Sequence, residues 1–218
     1  MKSPAAMKAM PIRKFTHLLY LAILLFVTFL MFQLSVPYLS FKIDEAFLAT
    51  KQSIIHISIW RWSFYIHVFT SVFTLLLGGL QFFKSFAYKY KKLHRSIGIA
   101  YVLLVAFFSG PSGLIMGWYA SGGIAAQISF MTLSVLWIGF TVIAFIKARN
   151  KKIRQHQNYM LRSYLLTLSA VTLRTYTLLV PVLLHLRGKE AYIMIAWLSW
   201  VPNLLLAEIL IKARKTSL

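Results

Sequence analysis

The sequence contains no cysteine and only four acidic residues among its 218 amino acids. Without cysteine the chain forms no disulfide and no thiolate-held zinc or iron–sulfur centre, and thiols give no information about its redox compartment. No predicted membrane span carries the pair of carboxylates that general acid–base hydrolysis uses. The sequence also lacks a nucleophile elbow, a phosphate-binding glycine loop and a metalloprotease helix motif. Hydrolase or nucleotide chemistry therefore has no visible basis.

Long apolar runs are the main feature that the sequence does contain. Hydrophobic residues make up 59% of the chain, and the mean hydropathy is +0.71. A helix of about 20 apolar residues crosses the roughly 30 Å hydrocarbon core of a bilayer. Six such stretches are predicted, at residues 15–38, 62–83, 97–119, 124–146, 161–186 and 191–211. We therefore expect an all-α integral membrane protein, a six-transmembrane-helix bundle that forms one transmembrane domain over residues 1–218.

The basic residues are distributed unevenly between the two sides of this predicted bundle. The formal net charge is +20, and 18 of the 24 lysines and arginines lie on the side that holds residues 1–14, 84–96, 147–160, 162 and 212–218. Basic residues in short loops mark the cytoplasmic face of a membrane protein. The pattern predicts that both termini are cytoplasmic, that the protein lies in the cell inner (cytoplasmic) membrane, and that the basic loops contact anionic lipid headgroups. No nucleic-acid partner is expected.

The long loop between the first two predicted spans, residues 39–61, mixes apolar and polar residues. Trp60 and Trp62 flank Arg61 at its end, which is typical of an aromatic belt at the membrane surface. The loop is predicted to be an outer interfacial segment with a helix that leads into the second span.

The polar residues of the fifth predicted span fall on one helical face. Helical spacing places on that face His156, Met160, Ser163, Thr167, Ala170, Arg174, Thr177, Pro181 and His185. We expect the face to point into the bundle interior. Similar polar faces are predicted for the second span, with His67, and for the third, with His94.

Arg174 lies near the middle of the fifth predicted span. A charge at this depth costs at least about 2.5–3.5 kcal/mol on insertion scales, so a partner is expected. Asn203 and Glu208 of the sixth span are the candidate protein partners. The alternative is a bound anion or cofactor group, such as a haem propionate or a quinone oxygen, which a delocalised cation stabilises well.

The six histidines of the chain raise the question of a metal cofactor. Imidazole is a common axial ligand of b-type haem iron, and a membrane haem needs two histidines on facing helices at matched depth. Two pairs meet the depth requirement: His67 with His185 towards the outside, and His94 with His156 towards the inside. The predicted boundaries put the inner pair in the headgroup region, and the fourth span has no histidine. No metal beyond haem iron is predicted.

Several motifs resemble one bacterial family. They are GGLQF from Gly78, HRSIGIAY from His94, GGIAAQISF at the start of the fourth span and HQNYMLRSYLLTLSAVTLR from His156. Together they resemble the polytopic membrane proteins grouped as domain of unknown function 2306, over approximately residues 60–180. The matching positions are His67, Gln81, His94, Arg95, Gly98, Tyr101, His156, Met160, Arg162 and Arg174. The resemblance implies a membrane bundle without an established activity, with histidines similar in style to those of two-haem b-type cytochromes.

Three functions stay open at this point. In the first, the protein binds haem b and exchanges electrons with quinone or another membrane redox partner, and the cofactor-binding residues are His67, Gln81, His94, His156, Arg174 and His185. In the second, it is a non-catalytic assembly or stabilising subunit of a membrane complex, and Arg174 is held by Asn203 or Glu208. In the third, it is a small transporter or proton pathway. We rank the third last because no pair of broken helices is predicted at the membrane centre.

Overall fold

The computed structural model describes residues 12–83 and 88–216, which form helices and connecting loops without any β-strand. Six helical spans in this part of the chain are long and apolar enough to cross a membrane: Lys14–Ser40, Ser58–Leu80, Lys91–Trp118, Ile124–Arg149, Ile153–Leu183 and Gly188–Arg214. The predicted all-α architecture with six spans is confirmed. We number these spans one to six in chain order. Following the predicted topology, the starts of the third and fifth spans define the inner end of the bundle.

The helices of the third and fifth spans begin at Lys91 and Ile153, which precede the predicted apolar stretches at 97 and 161. A helix satisfies its own backbone hydrogen bonds, so it can continue beyond the apolar stretch into polar residues. His94 and His156 therefore lie on helices and not in loops. Each is three residues past the first residue of its helix.

The third span is interrupted at its centre. It consists of an α-helix at Lys91–Leu103, a π-helix at Leu104–Ser109 and an α-helix at Gly110–Trp118. Pro111 accounts for the interruption because it has no backbone N–H to donate, and its ring crowds the preceding turn. Short π-helices of this kind are frequent at functional sites.

The fifth and sixth spans are also interrupted near their centres. The fifth consists of helices Ile153–Thr167 and Ser169–Leu183, and the sixth of Gly188–Leu198 and Val201–Thr216. Pro202 explains the break in the sixth span, for the same reason as Pro111 in the third.

Side-chain hydrogen bonds connect these two breaks. Thr172 Oγ1 donates to the Ser199 carbonyl, and Asn203 Nδ2 donates to Thr172 Oγ1 at 3.1 Å. A broken membrane helix is tolerated where side chains satisfy the freed backbone groups. Leu168 keeps helical dihedral angles, and i→i−4 backbone bonds continue through both interruptions, so the fifth and sixth spans are distorted but each runs as one helix. The prediction that no paired broken helices mark a midplane site stays a prediction.

The outer segment between the first two spans is not one interfacial helix. It contains 3₁₀-helices at Val36–Ser40 and Ala46–Lys51, and the second span starts at Ser58. Its apolar residues pack against the second span, where Trp60 is only 1% exposed. Trp60 is thus a core residue and not an interfacial anchor.

Lys51 connects the outer segment to the loop before the fourth span and to the start of the sixth span. It is 5% exposed, Nζ donates to Ser121 Oγ, and Nζ lies 5.4 Å and 5.7 Å from the ring centroids of Phe47 and Tyr192. Burial lowers the pKa of the Lys51 ammonium group, because an apolar environment disfavours the charged form.

The inner half of the bundle is closely packed around the first part of the fifth span, Ile153–Thr167. This helix contacts the second span, the fourth span and the inner part of the sixth. Gly78 of the second span allows the close approach, because an added Cβ would lie 2.7 Å from Tyr164 Cδ2 and 2.8 Å from Tyr101 Cε2. Small residues at such contacts are typical of membrane helix packing.

Candidate functional site

A hydroxyl network joins the third, fourth and fifth spans in the inner half of the bundle. Tyr101 OH lies 2.7 Å from Ser163 Oγ and 2.9 Å from Thr167 Oγ1. Ser163 Oγ is 2.6 Å from Thr141 Oγ1, and Trp137 Nε1 donates to Thr167 Oγ1 at 3.0 Å. All five side chains are buried. Sequence analysis did not predict the two fourth-span members, although Trp137 and Thr141 are one helical turn apart.

Every hydroxyl proton of this network has an acceptor. Thr141 donates to the Trp137 carbonyl at 2.7 Å, and Thr167 can donate to the Ser163 carbonyl at 3.2 Å. Ser163 is then free to donate to Thr141, and Tyr101 to the oxygens of Ser163 and Thr167. A buried network is stabilising when all of its members are satisfied. We interpret it as a structural connection between three spans.

The inner histidines lie next to this network, towards the inner end. His156 Nδ1 is 2.9 Å from the Ala144 carbonyl oxygen. A carbonyl only accepts, so Nδ1 carries the proton and Nε2 of the neutral ring keeps its lone pair. His94 lies within electrostatic reach of His156. The pairing of His94 with His156 stays a prediction.

Gln81 belongs to the same inner region. It directly follows the second span, and its Oε1 lies 3.2 Å from the position of a Cβ added to Gly98, which is one helical turn beyond His94. Its Nε2 is buried and has no hydrogen-bond partner among the described residues. A buried donor without an acceptor is costly, so this amide is suited to a ligand with an acceptor oxygen.

His67 occupies the outer half of the bundle. Its Nδ1 lies 2.8 Å from the Ser109 carbonyl at the end of the π-helix, and Thr70 Oγ1 lies 2.7 Å from Ser109 Oγ. Gly113 leaves room for the imidazole, because an added Cβ would approach His67 Cε1 to 3.1 Å. The interrupted third span therefore orients His67, with Nδ1 protonated and Nε2 available as an acceptor.

Arg174 lies in the same outer region. It donates from Nη1 to the Ala170 carbonyl at 2.9 Å. Its guanidinium is within electrostatic reach of His67 and of Tyr38 at the end of the first span.

The predicted protein partners of Arg174 bind elsewhere. Glu208 accepts from Arg162 Nε at 2.5 Å and from Arg162 Nη2 at 2.8 Å. Asn203 donates to Thr172 Oγ1 at 3.1 Å and to the Ser199 carbonyl at 3.3 Å. The prediction that Asn203 or Glu208 pairs with Arg174 is wrong. Within the described residues no carboxylate lies within 4.0 Å of Arg174.

The predicted polar face of the fifth span ends at Arg174. Met160, Ser163 and Thr167 are buried, whereas Thr177 is exposed. His185 is exposed in the loop after Leu183, where its φ of 53° ends the helical geometry. A side chain in this loop does not continue the face, and the pairing of His67 with His185 stays a prediction.

The described residues contain no group of three or more His, Asp or Glu side chains arranged to hold a metal ion. A haem has a lower requirement, because the porphyrin supplies four nitrogens and the protein only the axial ligands. The absence of such a group therefore says nothing about a haem site formed by two histidines.

Six apolar spans around a polar interior define a multi-pass membrane protein. The family described as predicted membrane protein (DUF2306) matches residues 64–211, which are 148 of the 218 residues. The chain belongs to this family, and the match extends past the predicted limit near residue 180 into the sixth span. No curated protein and no solved structure matches the chain.

Proposed function

We propose that this membrane protein binds haem b at the inner end of the bundle, with His94 and His156 as axial ligands, and transfers electrons within the membrane. The observation that supports the proposal is that His94 and His156 each lie three residues past the inner starts of the third and fifth spans, with an electrostatic influence of His156 on His94. The hydrogen bond from His156 Nδ1 to the Ala144 carbonyl is the kind that orients metal-bound histidines and leaves Nε2 for the metal.

The surroundings of the inner pair suit the two propionates of a haem. Lys91, Lys92 and Arg95 line a groove of about 540 Å³ at the start of the third span. The buried Nε2 of Gln81 is an additional donor. Charge-assisted hydrogen bonds to carboxylates are among the stronger contacts of proteins. Bound haem would supply a one-electron couple, for exchange with quinone or another membrane redox partner.

Arg174 does not belong to this inner site. It follows His156 by 18 residues, or about 27 Å along a helix that rises 1.5 Å per residue. Arg174 is therefore too far away to contact a propionate of a haem held by His94 and His156.

The test is the visible spectrum of detergent-purified protein, oxidised and then reduced with dithionite, after expression with haem supplied. We expect a Soret band and reduced b-type peaks in the wild type. His94→Ala and His156→Ala should each lose or shift these bands. His56→Ala, at an exposed position of the outer segment to which no role is assigned, is the matched control and should keep them.

A featureless spectrum from monodisperse, haem-supplied wild-type protein would contradict the proposal. Copurification of a defined larger complex, without a chromophore on this chain, would then favour an assembly or stabilising subunit. Bands that survive in both inner histidine variants would contradict the assignment of the ligands.

A second candidate function, a small transporter, is suggested by the local helical distortions at Leu168 and at Ser199–Trp200, near the centres of the fifth and sixth spans. Discontinuous helices are typical of substrate sites at the membrane midplane. This function requires anion- or proton-dependent flux in liposomes that is lost in Arg174→Leu. Equal flux in wild type and variant would exclude Arg174 from such a pathway.

A further inference from the structure

A basic groove without an acidic partner lies at the inner end of the third span. Its lining carries three positive charges and one hydroxyl, from Lys91, Lys92, Arg95 and Ser96. All four residues are exposed, and within the described residues none of their side chains forms an ion pair or a hydrogen bond. Of the four acidic residues of the chain, three lie on the outer side and Glu208 pairs with Arg162. The positive charge of the groove is therefore not compensated by this chain's own carboxylates.

The groove lies at the level of the lipid headgroups. Trp118, which is 61% exposed at the outer end of the same span, follows Arg95 by 23 residues. At 1.5 Å per residue this separation is about 35 Å, slightly more than the roughly 30 Å hydrocarbon core of a bilayer. Exposed tryptophan is typical of the membrane–water interface. With Trp118 at the outer interface, Arg95 lies at the inner one, where lipid phosphates are located.

The exposed face of this helix continues from the groove into the hydrocarbon region. Helical spacing places on this face Lys92, Arg95, Ser96, Ile99 and Leu103. Ile99 is 41% exposed and Leu103 is 47% exposed, so the neighbouring spans leave the face open. These two residues lie about 6 and 12 Å deeper than Arg95. The face thus presents cations at headgroup depth and apolar side chains below them, which is the pattern that a phospholipid matches.

The opposite face of the same helix is buried in the bundle. It carries His94, Gly98 and Tyr101. Tyr101 is fully buried, and Gln81 Oε1 lies 3.2 Å from the position of a Cβ added to Gly98. The exposed face and the face of His94 therefore point in different directions. A lipid on the exposed face does not require haem at His94 and His156.

The charge of the groove indicates the kind of phospholipid. A phosphate diester carries one negative charge, whereas the groove holds three cations. A headgroup with two phosphate diesters balances them more completely than a headgroup with one. The groove volume of about 540 Å³ is in the range of pockets that enclose small molecules. Basic pockets at the cytoplasmic ends of membrane helices are suited to headgroups of this kind.

We propose that this groove binds an anionic phospholipid with two phosphate groups, of the cardiolipin type. Lys91, Lys92 and Arg95 bind the phosphate oxygens. The acyl chains lie along Ile99 and Leu103. Charge-assisted hydrogen bonds to phosphate are among the stronger contacts of proteins, and a guanidinium can bind two phosphate oxygens at once. The proposal goes beyond haem binding and does not rest on it.

The test is native mass spectrometry of delipidated, detergent-purified protein expressed without added haem, because propionates would compete for the same cations. Tetraoleoyl cardiolipin is the probe. Dioleoyl phosphatidylglycerol at twice the concentration supplies the same phosphate charge, and dioleoyl phosphatidylcholine is the neutral control. We expect one cardiolipin to bind, about tenfold more tightly than phosphatidylglycerol. The double variant Lys92→Gln/Arg95→Gln should weaken cardiolipin binding about tenfold or more, because two basic contacts at the membrane surface are lost.

The double variant Arg149→Gln/Lys152→Gln is the matched control. It removes the same two kinds of charge at exposed positions of another inner loop and should leave cardiolipin binding unchanged. His94→Ala should also leave it unchanged, which separates this site from the proposed haem site. Equal weakening in the two double variants would show general charge attraction without a site and would overturn the proposal. Equal affinity for cardiolipin and phosphatidylglycerol would overturn it as well.

A second measurement distinguishes a lipid from a free anion. Cardiolipin should raise the Tm of the wild type but not of Lys92→Gln/Arg95→Gln, because a ligand that binds the folded state stabilises it. Inorganic pyrophosphate has two phosphate groups but no acyl chains, and should give no such rise. A rise with pyrophosphate equal to that with cardiolipin would show that the groove binds a free anion, and the lipid assignment would be wrong.

Discussion

The two halves of the fifth span are held in the bundle in different ways. Seven residues of Ile153–Thr167 are buried, whereas only Ser169 and Val180 are buried in Ser169–Leu183. Membrane helices associate through close packing and hydrogen bonds, since lipid is as apolar as the side chains it replaces. The inner half has both kinds of contact and forms the scaffold. The outer half has fewer of them, and most of its residues are not buried.

The two arginines of this span show the same difference. Arg162 in the inner half forms a bidentate ion pair with Glu208. Arg174 in the outer half donates to a carbonyl of its own helix. A paired charge is a structural feature of a bundle, whereas an unbalanced one is a sign of function. Comparing the two halves is therefore a way to separate structural from functional residues.

The largest effect is expected where the inner half is packed most closely. In Gly78→Ala the new Cβ meets the rings of Tyr164 and Tyr101 at 2.7 and 2.8 Å. Overpacking of this kind costs typically 1–3 kcal/mol, so we expect a loss of about that size in the free energy of unfolding. SDS titration of the purified protein measures it. Gly139→Ala is the control, because no atom lies within 4 Å of its added Cβ, and an equal loss in both variants would contradict the packing argument.

A smaller effect is expected from removing a hydroxyl of the inner network. Thr167→Val leaves Trp137 Nε1 and the Tyr101 hydroxyl with fewer acceptors. Hydrogen bonds between membrane helices contribute on average about 0.6 and at most about 1.7 kcal/mol, so we expect a loss of about 1 kcal/mol. The same SDS titration applies. Thr177→Val removes a hydroxyl that is exposed and bonds only to the Leu173 carbonyl. An equal loss of unfolding free energy in Thr177→Val and Thr167→Val would contradict the difference between the two halves of the fifth span.

The smallest effect concerns Lys51 in the outer segment between the first and second spans. Burial places the pKa of Lys51 below its ordinary value of 10.5. In the interval just below 10.5 the unfolded chain binds more protons than the folded one, so stability rises with pH there. We expect this rise in Tm against pH to be reduced in Lys51→Met and kept in Lys42→Met, at an exposed position of the same loop. If Tm rises equally with pH in the wild type and in Lys51→Met, Lys51 does not contribute to the pH dependence of stability.

Local patterns were sufficient for the general architecture. Met160, Ser163 and Thr167 of the predicted face are buried, but so are Leu161, Leu165 and Leu166 on other faces of the same helix, so burial does not single out the face that helical periodicity predicts. The same periodicity was wrong for Thr177 and His185, where the helix is exposed and then ends at Leu183. The predicted pairing of Glu208 with Arg174 was also wrong. Glu208 instead pairs with Arg162, which lies on the same span as Arg174 but nearer the inner end, and sequence alone did not fix the relative depth of the fifth and sixth spans.

The sequence by itself determined six membrane spans, the helical spacing of polar residues in the fifth span, and the family to which the chain belongs. These follow from hydrocarbon thickness and helical period, which act on local composition. Only the tertiary structure decided which polar groups meet: His67 with the Ser109 carbonyl, Tyr101 with Ser163, and Arg162 with Glu208. Such contacts depend on the rotation and depth of neighbouring helices, and those are set by the packing of small residues and by the breaks in the third, fifth and sixth spans.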